Sequence, residues 1–527
     1  RNALEHGSAE KDAVIGKVFA EEPGLKEDAG EVVSTAEKVI EEVNSLPEQE
    51  LEDIVEGHEY EDEEEEDGGL PELPDAEGDV VMRMAPFPSG MLHVGNARMA
   101  VLNDEYVKRN DGKLLLVIDD TAGSEEKKPI QEAYDEIPED LDWLGVDYDE
   151  IIYKSDRLEL FYDYAERFLE EGWAYVCECD AETLRENREE GVACEHRGRS
   201  QEENLEKWEK MLEGGYEEGG AAVRLKTDMQ ADDPAFRDRV LLRISNVDHP
   251  RVGDEYRVWP MLEFSWAVDD HELGITHILR GKDLVMEDRM ERYMWDLLGW
   301  EEPEILHHGL MGIEGINLST STSRRKIEDD EYGGWDDPRT WSLKSLRKRG
   351  FRPEAIRSFV LQFGMSDNDV TVPVDSLYTE NRKIIDSEAD RYFFVEDPAE
   401  LEIQGLPEDI EAETPYHPEE DRGKRRIPVE VEDGRATVRV DRGDLEDGFL
   451  RLKDFCNVEV DGGTAEFHSV DHTEATERGA PIVQWVPEDA EECRVVMPDA
   501  EEVEGVVEPG VPEEVVQFVR FGFVNVV

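Results

Sequence analysis

The strongest constraint on how this chain can fold is a succession that begins at residue 80. Val80-Val81-Met82-Arg83-Met84-Ala85 reads as a strand, and Asn96 to Arg109 as a helix with Met99, Leu102 and Tyr106 at helical spacing. Lys113 to Asp119 is a second strand, nearly all apolar. A strand without a polar face is covered on both sides, as inside a parallel sheet. Strand, helix, strand therefore predicts an α/β nucleotide-binding half. The connecting segment runs Arg83-Met84-Ala85-Pro86-Phe87-Pro88-Ser89-Gly90-Met91-Leu92-His93-Val94-Gly95-Asn96-Ala97-Arg98. Gly95 removes bulk where a nucleotide must approach backbone, a helix N-terminus favours phosphate, and His93 and Asn96 can donate hydrogen bonds toward it. Taken alone, such a loop is as often a plain turn.

Further along, Ser155 is the expected N-cap of a helix that groups Leu158, Phe161, Tyr162, Ala165, Phe168 and Leu169 on one face, and Gly172 is placed to end it. From Trp173 to about Pro250 the pattern is interrupted and reads as an insertion. The sheet is expected to resume at His277-Ile278-Leu279-Arg280, followed by a helix through Trp300 and a helical stretch over 341–364. Beyond 390, short alternating runs predict an all-β part, with a hairpin of Ile427–Val431 and Ala436–Val440 about Glu432-Asp433-Gly434. Before residue 45 short amphipathic helices are expected, and Glu61-Asp62-Glu63-Glu64-Glu65-Glu66-Asp67 reads as a solvated linker.

Cys177-x-Cys179 followed by Cys194-x-His196 supplies four ligands in two short arms, which suits a closed tetrahedral site for structural zinc. Chance clustering of free cysteines is the alternative. Cys456 and Cys493 are isolated and expected in the core. Five cysteines in 527 residues argue for a reducing compartment and against a disulfide framework. A net charge of −77, spread end to end, would repel itself at low ionic strength. Molar salt shrinks the Debye length to about 3 Å and removes most of that cost, so a salt-adapted protein is expected. No run of about eighteen apolar residues occurs, and Arg1-Asn2-Ala3-Leu4 lacks the core of a secretory signal. A cytoplasmic protein, away from any membrane, is expected. The start at Arg1 rather than Met suggests a longer natural chain.

The loop at 83–98 resembles the "HIGH" signature of the class I aminoacyl-tRNA synthetases, in the Arg-x-Ala-Pro-x-Pro-Ser-Gly context of the archaeal glutamyl enzymes. Val117-Ile118-Asp119-Asp120-Thr121 is similar to their Arg-Ile-Glu-Asp-Thr strand end, and Val268–Gly281 to their second substrate-binding strand. Leu318-Ser319-Thr320-Ser321-Thr322-Ser323, with Gly334-Trp335-Asp336-Asp337-Pro338-Arg339, falls where they keep the "KMSKS" loop. The resemblance runs essentially the whole length. It implies a multidomain α/β protein: a Rossmann-like class I catalytic domain with an inserted acceptor-arm domain, a helical stem-contact region and C-terminal all-β anticodon-binding barrels. The expected divisions are a helical extension over 1–60, an acidic linker over 61–78, and catalytic halves over 79–175 and 251–325. The insertion would occupy 176–250, the helical region 326–388 and the β-barrel domain 389–527.

The implied activity is glutamate–tRNA ligation, with ATP and L-glutamate as substrates, magnesium at the phosphates, and tRNA(Glu), by analogy also tRNA(Gln), as acceptor; DNA is not an expected partner. The resemblance places Pro86, Ser89, Gly90, His93, Gly95, Asn96, Leu318 and Ser319 at ATP, with His93, Asn96, Ser321 and Thr322 at the reacting phosphates. It places Arg83, Asp119, Leu262 and Arg280 at glutamate, where two planar forks suit a dicarboxylate. A similar C-x-C…C-x-H pattern binds zinc in some glutamyl enzymes. Lys344, Arg347, Lys348, Arg349, Arg352, Arg425 and Arg426 are the expected phosphate contacts for tRNA. The chain departs from the common pattern at Asn96, Val117, Asp119, Leu262 and Thr322, the last in the place of a lysine, for which Arg324, Arg325 or Lys326 would substitute. The alternatives are a glutaminyl-tRNA synthetase, for which Leu262 leaves room, and a catalytically silent tRNA-binding paralogue.

Overall fold

The computed structural model describes residues 70–122 and 128–527, with a few positions between 35 and 44. The expected N-terminal helices and the acidic block at 61–67 otherwise lie outside the described residues. Strand β1 (Val81–Met84) leads through the Pro/Gly loop into helix α1 (Val94–Arg109), and β2 (Lys113–Ile118) returns parallel to β1. The helix starts two residues before Asn96, with His93 in the N-cap position. In β2 the residues alternate between two interiors: Leu114, Leu116 and Ile118 join the core under α1, while Leu115 and Val117 join the core on the opposite face. That explains a strand with no polar face.

Helix α2 (Ala133–Leu144) and β3 (Glu150–Tyr153) follow, with β3 parallel to β2. Ser155 does not cap the next helix. It lies in a 3-10 turn, Lys154–Arg157, where its hydroxyl donates to Asp120 at 2.7 Å, and α3 begins only at Leu158 and runs to Glu170. The apolar face foreseen for α3 is buried throughout, and Gly172 (φ +73°) follows its end. The insertion is a four-stranded antiparallel sheet of β4 (Ala174–Cys177), β5 (Ala222–Leu225), β6 (Val240–Ile244) and β7 (Val258–Pro260). Helices α4 (Ala181–Glu190) and α5 (Gln201–Leu212) lie between β4 and β5.

After α6 (Leu262–Glu272), strand β8 (His277–Gly281) rejoins the parallel sheet beside β1; α7 (Val285–Leu298) and β9 (Glu304–His308) complete it. The strand order is β3-β2-β1-β8-β9, reversing direction between β1 and β8. In a doubly wound sheet the ligand crevice opens at that switch point, outside the strands' carboxyl ends. Helix α8 (Thr320–Glu328) comes next. The stretch expected over 341–364 is two helices, α9 (Leu343–Lys348) and α10 (Pro353–Leu361), separated where Gly350 takes φ +84° and Pro353 opens the second; α11 (Val374–Glu388) packs beside α10.

Residues beyond 390 are mainly strands. Their largest sheet has seven, and Pro398–Gln404 pairs there with Arg435–Asp441 over seven residues. The hairpin foreseen between 427–431 and 436–440 does not form as a ladder. Asp433 and Gly434 make the tight turn, closed by one bridge from Glu432 to Arg435, but Lys424–Ile427 pairs instead with Ala412–Pro415. Cys456 is fully buried in this core and Cys493 is half-buried. Among the described residues, no helix is long and apolar enough to cross a membrane.

Arg425 pins the strand-rich part together. Its Nε donates to Glu508 at 2.8 Å and its Nη2 to the same carboxylate at 2.5 Å, and the Tyr392 ring lies 4.7 Å from its guanidinium. Glu508 also accepts the Phe393 backbone N–H at 2.6 Å. The pair is buried, so Glu508→Gln, which leaves the guanidinium without its counter-charge, is expected to cost about 3 kcal/mol. Denaturant unfolding followed by tryptophan fluorescence reads the loss; an unchanged midpoint would show that Arg425 reaches water.

Candidate active site at the carboxyl ends of the parallel strands

Arg83 near the end of β1, Asp119 just past β2 and Arg280 in β8 meet around the switch point, joined by the 85–98 loop. The loop is tied to its neighbours through backbone. Pro86 O accepts the Asp119 N–H at 3.0 Å, and Pro88 O accepts that of Ile130 at 2.9 Å. A Cβ on Gly90 would collide with the Trp335 ring and the Thr320 methyl, and one on Gly95 would come within 2.9 Å of the His93 ring and 3.5 Å of Leu318. The segment 318–335 thus lies directly against the first loop. A second latch follows: Val94 N–H donates to Trp341 O at 3.3 Å and Leu343 N–H to Leu92 O at 2.8 Å. Trp341 holds φ +53°, a strained conformation for a bulky residue, to present that carbonyl.

The loop's polar side chains divide their work. Asn96 Oδ1 accepts the His93 backbone N–H at 3.0 Å, so this amide caps its own helix and keeps its NH2 for other use. The His93 ring has a buried Nδ1 with no partner among the described residues. Burial lowers its pKa from 6.5 to about 4, and the ring is neutral at neutral pH. Ser319 caps α8, accepting from Thr322 N–H at 3.3 Å, and its hydroxyl lies 3.2 Å from that of Ser321. The segment foreseen as a flexible loop is therefore the first turn of a helix, with Ser321 exposed and Thr322 half-buried. Of the three cations that follow, Arg324 is held by Glu328 (2.8 Å) and Lys128 O (3.1 Å), and Lys326 bonds the Tyr332 hydroxyl (3.0 Å). Arg325 is exposed and has no ion-pair partner among the described residues.

The two arginines foreseen at the substrate do not offer open forks. Arg83 engages Asp270 through Nε (2.5 Å) and Nη2 (2.9 Å). Arg280 grips Glu291 through Nη1 (3.0 Å) and Nη2 (2.7 Å) and also contacts Asp288. Burial pushes the Glu291 carboxyl up to about 7, against the pull of Arg280. Asp119, fully buried, takes Lys154 Nζ at 3.3 Å and the Thr121 hydroxyl at 3.3 Å on one oxygen; the other has no partner among the described residues. Leu262 is half-buried in the first turn of α6, and Val117, where relatives' arginine was expected, fills the core under β2.

Several partners escaped sequence reasoning. Lys154, Ser265, Trp266, Asp270 and Glu291 all contact the residues above. A signal existed for one of them: Lys154 ends the apolar run Ile151-Ile152-Tyr153, so a cation stands where Asp119 stands on β2. Asp120, beside Asp119, receives Ser155 N–H (2.8 Å) and the Tyr134 hydroxyl (3.0 Å), while His249 of the insertion lies 2.7 Å from its carbonyl oxygen.

Cys177, Cys179, Cys194 and His196 converge at the end of β4, their ligand atoms all within 4.8 Å of one another. The spacings are 3.8 Å for Cys177 to Cys194 sulfur, 3.7 Å for Cys177 Sγ to His196 Nδ1 and 3.4 Å for Cys179 Sγ to the same nitrogen. A tetrahedron with metal–sulfur bonds of about 2.3 Å and metal–nitrogen bonds of about 2.0 Å has edges of about 3.8 and about 3.5 Å. The donor set and its spacing fit zinc. Buried Arg224 lies 3.7 Å from Cys177 Sγ, a cation beside the sulfur cluster.

The basic residues divide by exposure. Lys344, Arg347, Lys348, Arg352 and Arg426 reach solvent, each paired with a carboxylate: Glu136, Glu139, Asp336, Glu388 and Glu411. Arg349 does not join them. It packs 4.6 Å from the Trp341 ring and donates to Tyr378 at 2.7 Å. Arg425 is buried against Glu508, so neither guanidinium is presented openly at the surface as the other five are.

Residues 79–387 match the family model of tRNA synthetases class I (E and Q), catalytic domain, and residues 389–476 that of the anti-codon binding domain of the same class. A glutamate–tRNA ligase of Pyrococcus furiosus is 46% identical over 553 residues, with 100% of this chain and 95% of that protein covered. Those of Methanothermobacter marburgensis and Methanopyrus kandleri are each 45% identical with the same coverage. His93 supplies a test of the site's dryness. The unfolded chain takes up its proton near pH 6.5 and the folded chain only near 4, so this group lowers stability as pH falls through that window. Ring NMR shifts are expected to give a midpoint of about 4; one near 6.5 would mean a hydrated ring.

Proposed function

The chain belongs to the class I tRNA synthetases of the glutamate and glutamine group, and from that membership and the site we infer that it ligates L-glutamate to tRNA using ATP. The observation that carries this is full-length identity of about 45% to ligases of that one specificity. In the first step an oxygen of the amino acid's α-carboxylate bonds to the α-phosphorus of ATP, and the bond from that phosphorus to the pyrophosphate oxygen breaks. In the second, a hydroxyl of the tRNA's terminal ribose bonds to the activated carbonyl carbon, and AMP leaves. Both steps depend on positioning and charge compensation more than on proton transfer.

We assign the nucleotide to the first loop. His93, neutral, and the Asn96 amide hold it beside the bare backbone at Gly95, with Pro86, Ser89 and Gly90 beneath and Leu318 and Ser319 across. Ser321 and Thr322 lie toward the departing pyrophosphate. Arg325 is the cation left to replace the family's loop lysine, since Arg324 and Lys326 are already engaged. Magnesium accompanies the ATP phosphates and offsets their charge. Arg83 and Arg280 provide the positive field for the two carboxylates of glutamate, with Asp270 and Glu291 holding the guanidiniums in place. The unpartnered oxygen of Asp119 receives the ammonium, and Leu262 lines the wall.

The remaining assignments have separate support. The antiparallel sheet from Ala174 to Pro260 is the acceptor-arm insertion, reaching about ten residues beyond the expected bound at 250 because Val258–Pro260 pairs with Val240–Ile244; α9 to α11 form the stem-contact region, and the strands after 389 the anticodon domain. Zinc at Cys177, Cys179, Cys194 and His196 clamps two arms of the insertion. Lys344, Arg347, Lys348, Arg352 and Arg426 meet tRNA phosphates, on tRNA(Glu) and also tRNA(Gln). The charge of −77 fits work in a salty cytoplasm.

Charging of unfractionated archaeal tRNA in molar KCl is expected to incorporate labelled glutamate and not glutamine, with activity falling as KCl is diluted. Glutamine incorporation would point to the glutaminyl enzyme, and tRNA binding without charging to a silent paralogue. Purified protein is expected to carry one zinc per chain, lost in Cys194→Ser with a lower melting temperature; a metal-free wild type would remove the zinc assignment.

A further inference from the structure

Three buried cations surround one indole. The Trp266 ring centroid lies 4.7 Å from the Arg83 guanidinium, 5.3 Å from Lys154 Nζ and 5.3 Å from the Arg280 guanidinium. Trp266 is 6% exposed, and the cations are 3%, 0% and 2% exposed respectively. Helix α6 sets this up with a single face: Ser265 accepts from Lys154 at 2.8 Å, Asp269 takes Arg157 at 2.6 Å and Asp270 takes Arg83, with Trp266 among them. Each cation has its own carboxylate, yet the indole is an uncharged surface common to all three. Its electron-rich face attracts cations, most strongly where water is excluded.

Five atoms of these residues are buried and have no hydrogen-bond partner among the described residues: the donors Trp266 Nε1, Arg280 Nε and Arg157 Nη2, and the acceptors Asp119 Oδ2 and Asp269 Oδ2. An amino acid with carboxylates and an ammonium brings partners of both kinds.

We propose that Trp266 is a positioning residue that spaces Arg83, Lys154 and Arg280 and so sets the preference of the amino-acid pocket for a dicarboxylate. The proposal rests on the placement of glutamate given above. Without the ring, water enters between the cations, and the field that separates a carboxylate from a neutral amide weakens. Binding of the amino acid then suffers, while the nucleotide, held by the other loop, is untouched.

The test uses the full chain as wild type, Trp266→Leu and Trp266→Phe, charging tRNA with labelled glutamate or glutamine at varied amino acid and ATP. Leucine keeps an apolar filling without the aromatic face; phenylalanine keeps the face without the N–H. For Trp266→Leu the KM for glutamate is expected to rise about tenfold or more, with kcat and the KM for ATP within about threefold, and the glutamate-over-glutamine ratio to fall. Trp266→Phe should lie between the two. Glutamate binding by calorimetry, with the melting temperature measured alongside, gives the same comparison without turnover. An unchanged KM for glutamate in Trp266→Leu overturns the proposal. So does a joint loss of kcat, both KM values and melting temperature that phenylalanine does not rescue, because that marks a purely structural role. A wild type that fails to charge glutamate would instead strike the functional reading itself.

Discussion

A guanidinium or ammonium taken out of water needs compensating partners, and at the centre of this molecule those partners are carboxylates. Arg83 finds Asp270, Arg280 finds Glu291 and Asp288, Lys154 finds Asp119, and Arg157 finds Asp269. The cations come from the carboxyl ends of β1 and β8 and from the turn after β3; α6 and α7 bring most of the carboxylates. Strand order alone gathers these ends. Their charge balance then fixes how α6 and α7 sit on the sheet, because a small rotation of either helix would leave several buried charges unmatched.

The parts of the fold that could be read from sequence are those where one periodicity dominates. The unbroken apolar run of β2 announced a strand covered on both faces, and the face shared by Leu158, Phe161 and Phe168 announced α3. The misplacements arose where local signals competed with distant partners. Ser155 has the chemistry of a cap, but the buried Asp120 carboxylate binds its hydroxyl more profitably than an exposed helix end would. Asp433-Gly434 does turn the chain, yet the strand after it pairs with Pro398–Gln404, which no short-range pattern announces. Arg425 reads as a basic surface residue until Glu508, 83 positions away, is brought beside it.

The same limit applies to the candidate site. Loop glycines and the metal-type cysteine spacing are local and were visible as such. Trp266 and Glu291 were not, since their meaning depends on three segments converging. The first loop shows a related dependence: its backbone is held by Trp341 and Leu343, residues that follow α8 rather than precede it. The region after the second signature therefore shapes the first.

The pairing of surface cations has a consequence for ion traffic. Lys344, Arg347, Lys348, Arg352 and Arg426 are each already matched to a carboxylate of the chain. A phosphate that takes over one of these partners frees a condensed cation from the nucleic acid, as any such contact does. It also bares the carboxylate it displaces, and in concentrated salt that carboxylate collects a cation of its own. Release and uptake nearly cancel, so log Kd plotted against log salt would be far flatter than the number of contacts suggests. The acidic surface that looks hostile to a polyanion would then act as an ion buffer, letting the complex persist at concentrations of salt that dissolve ordinary protein–nucleic acid contacts.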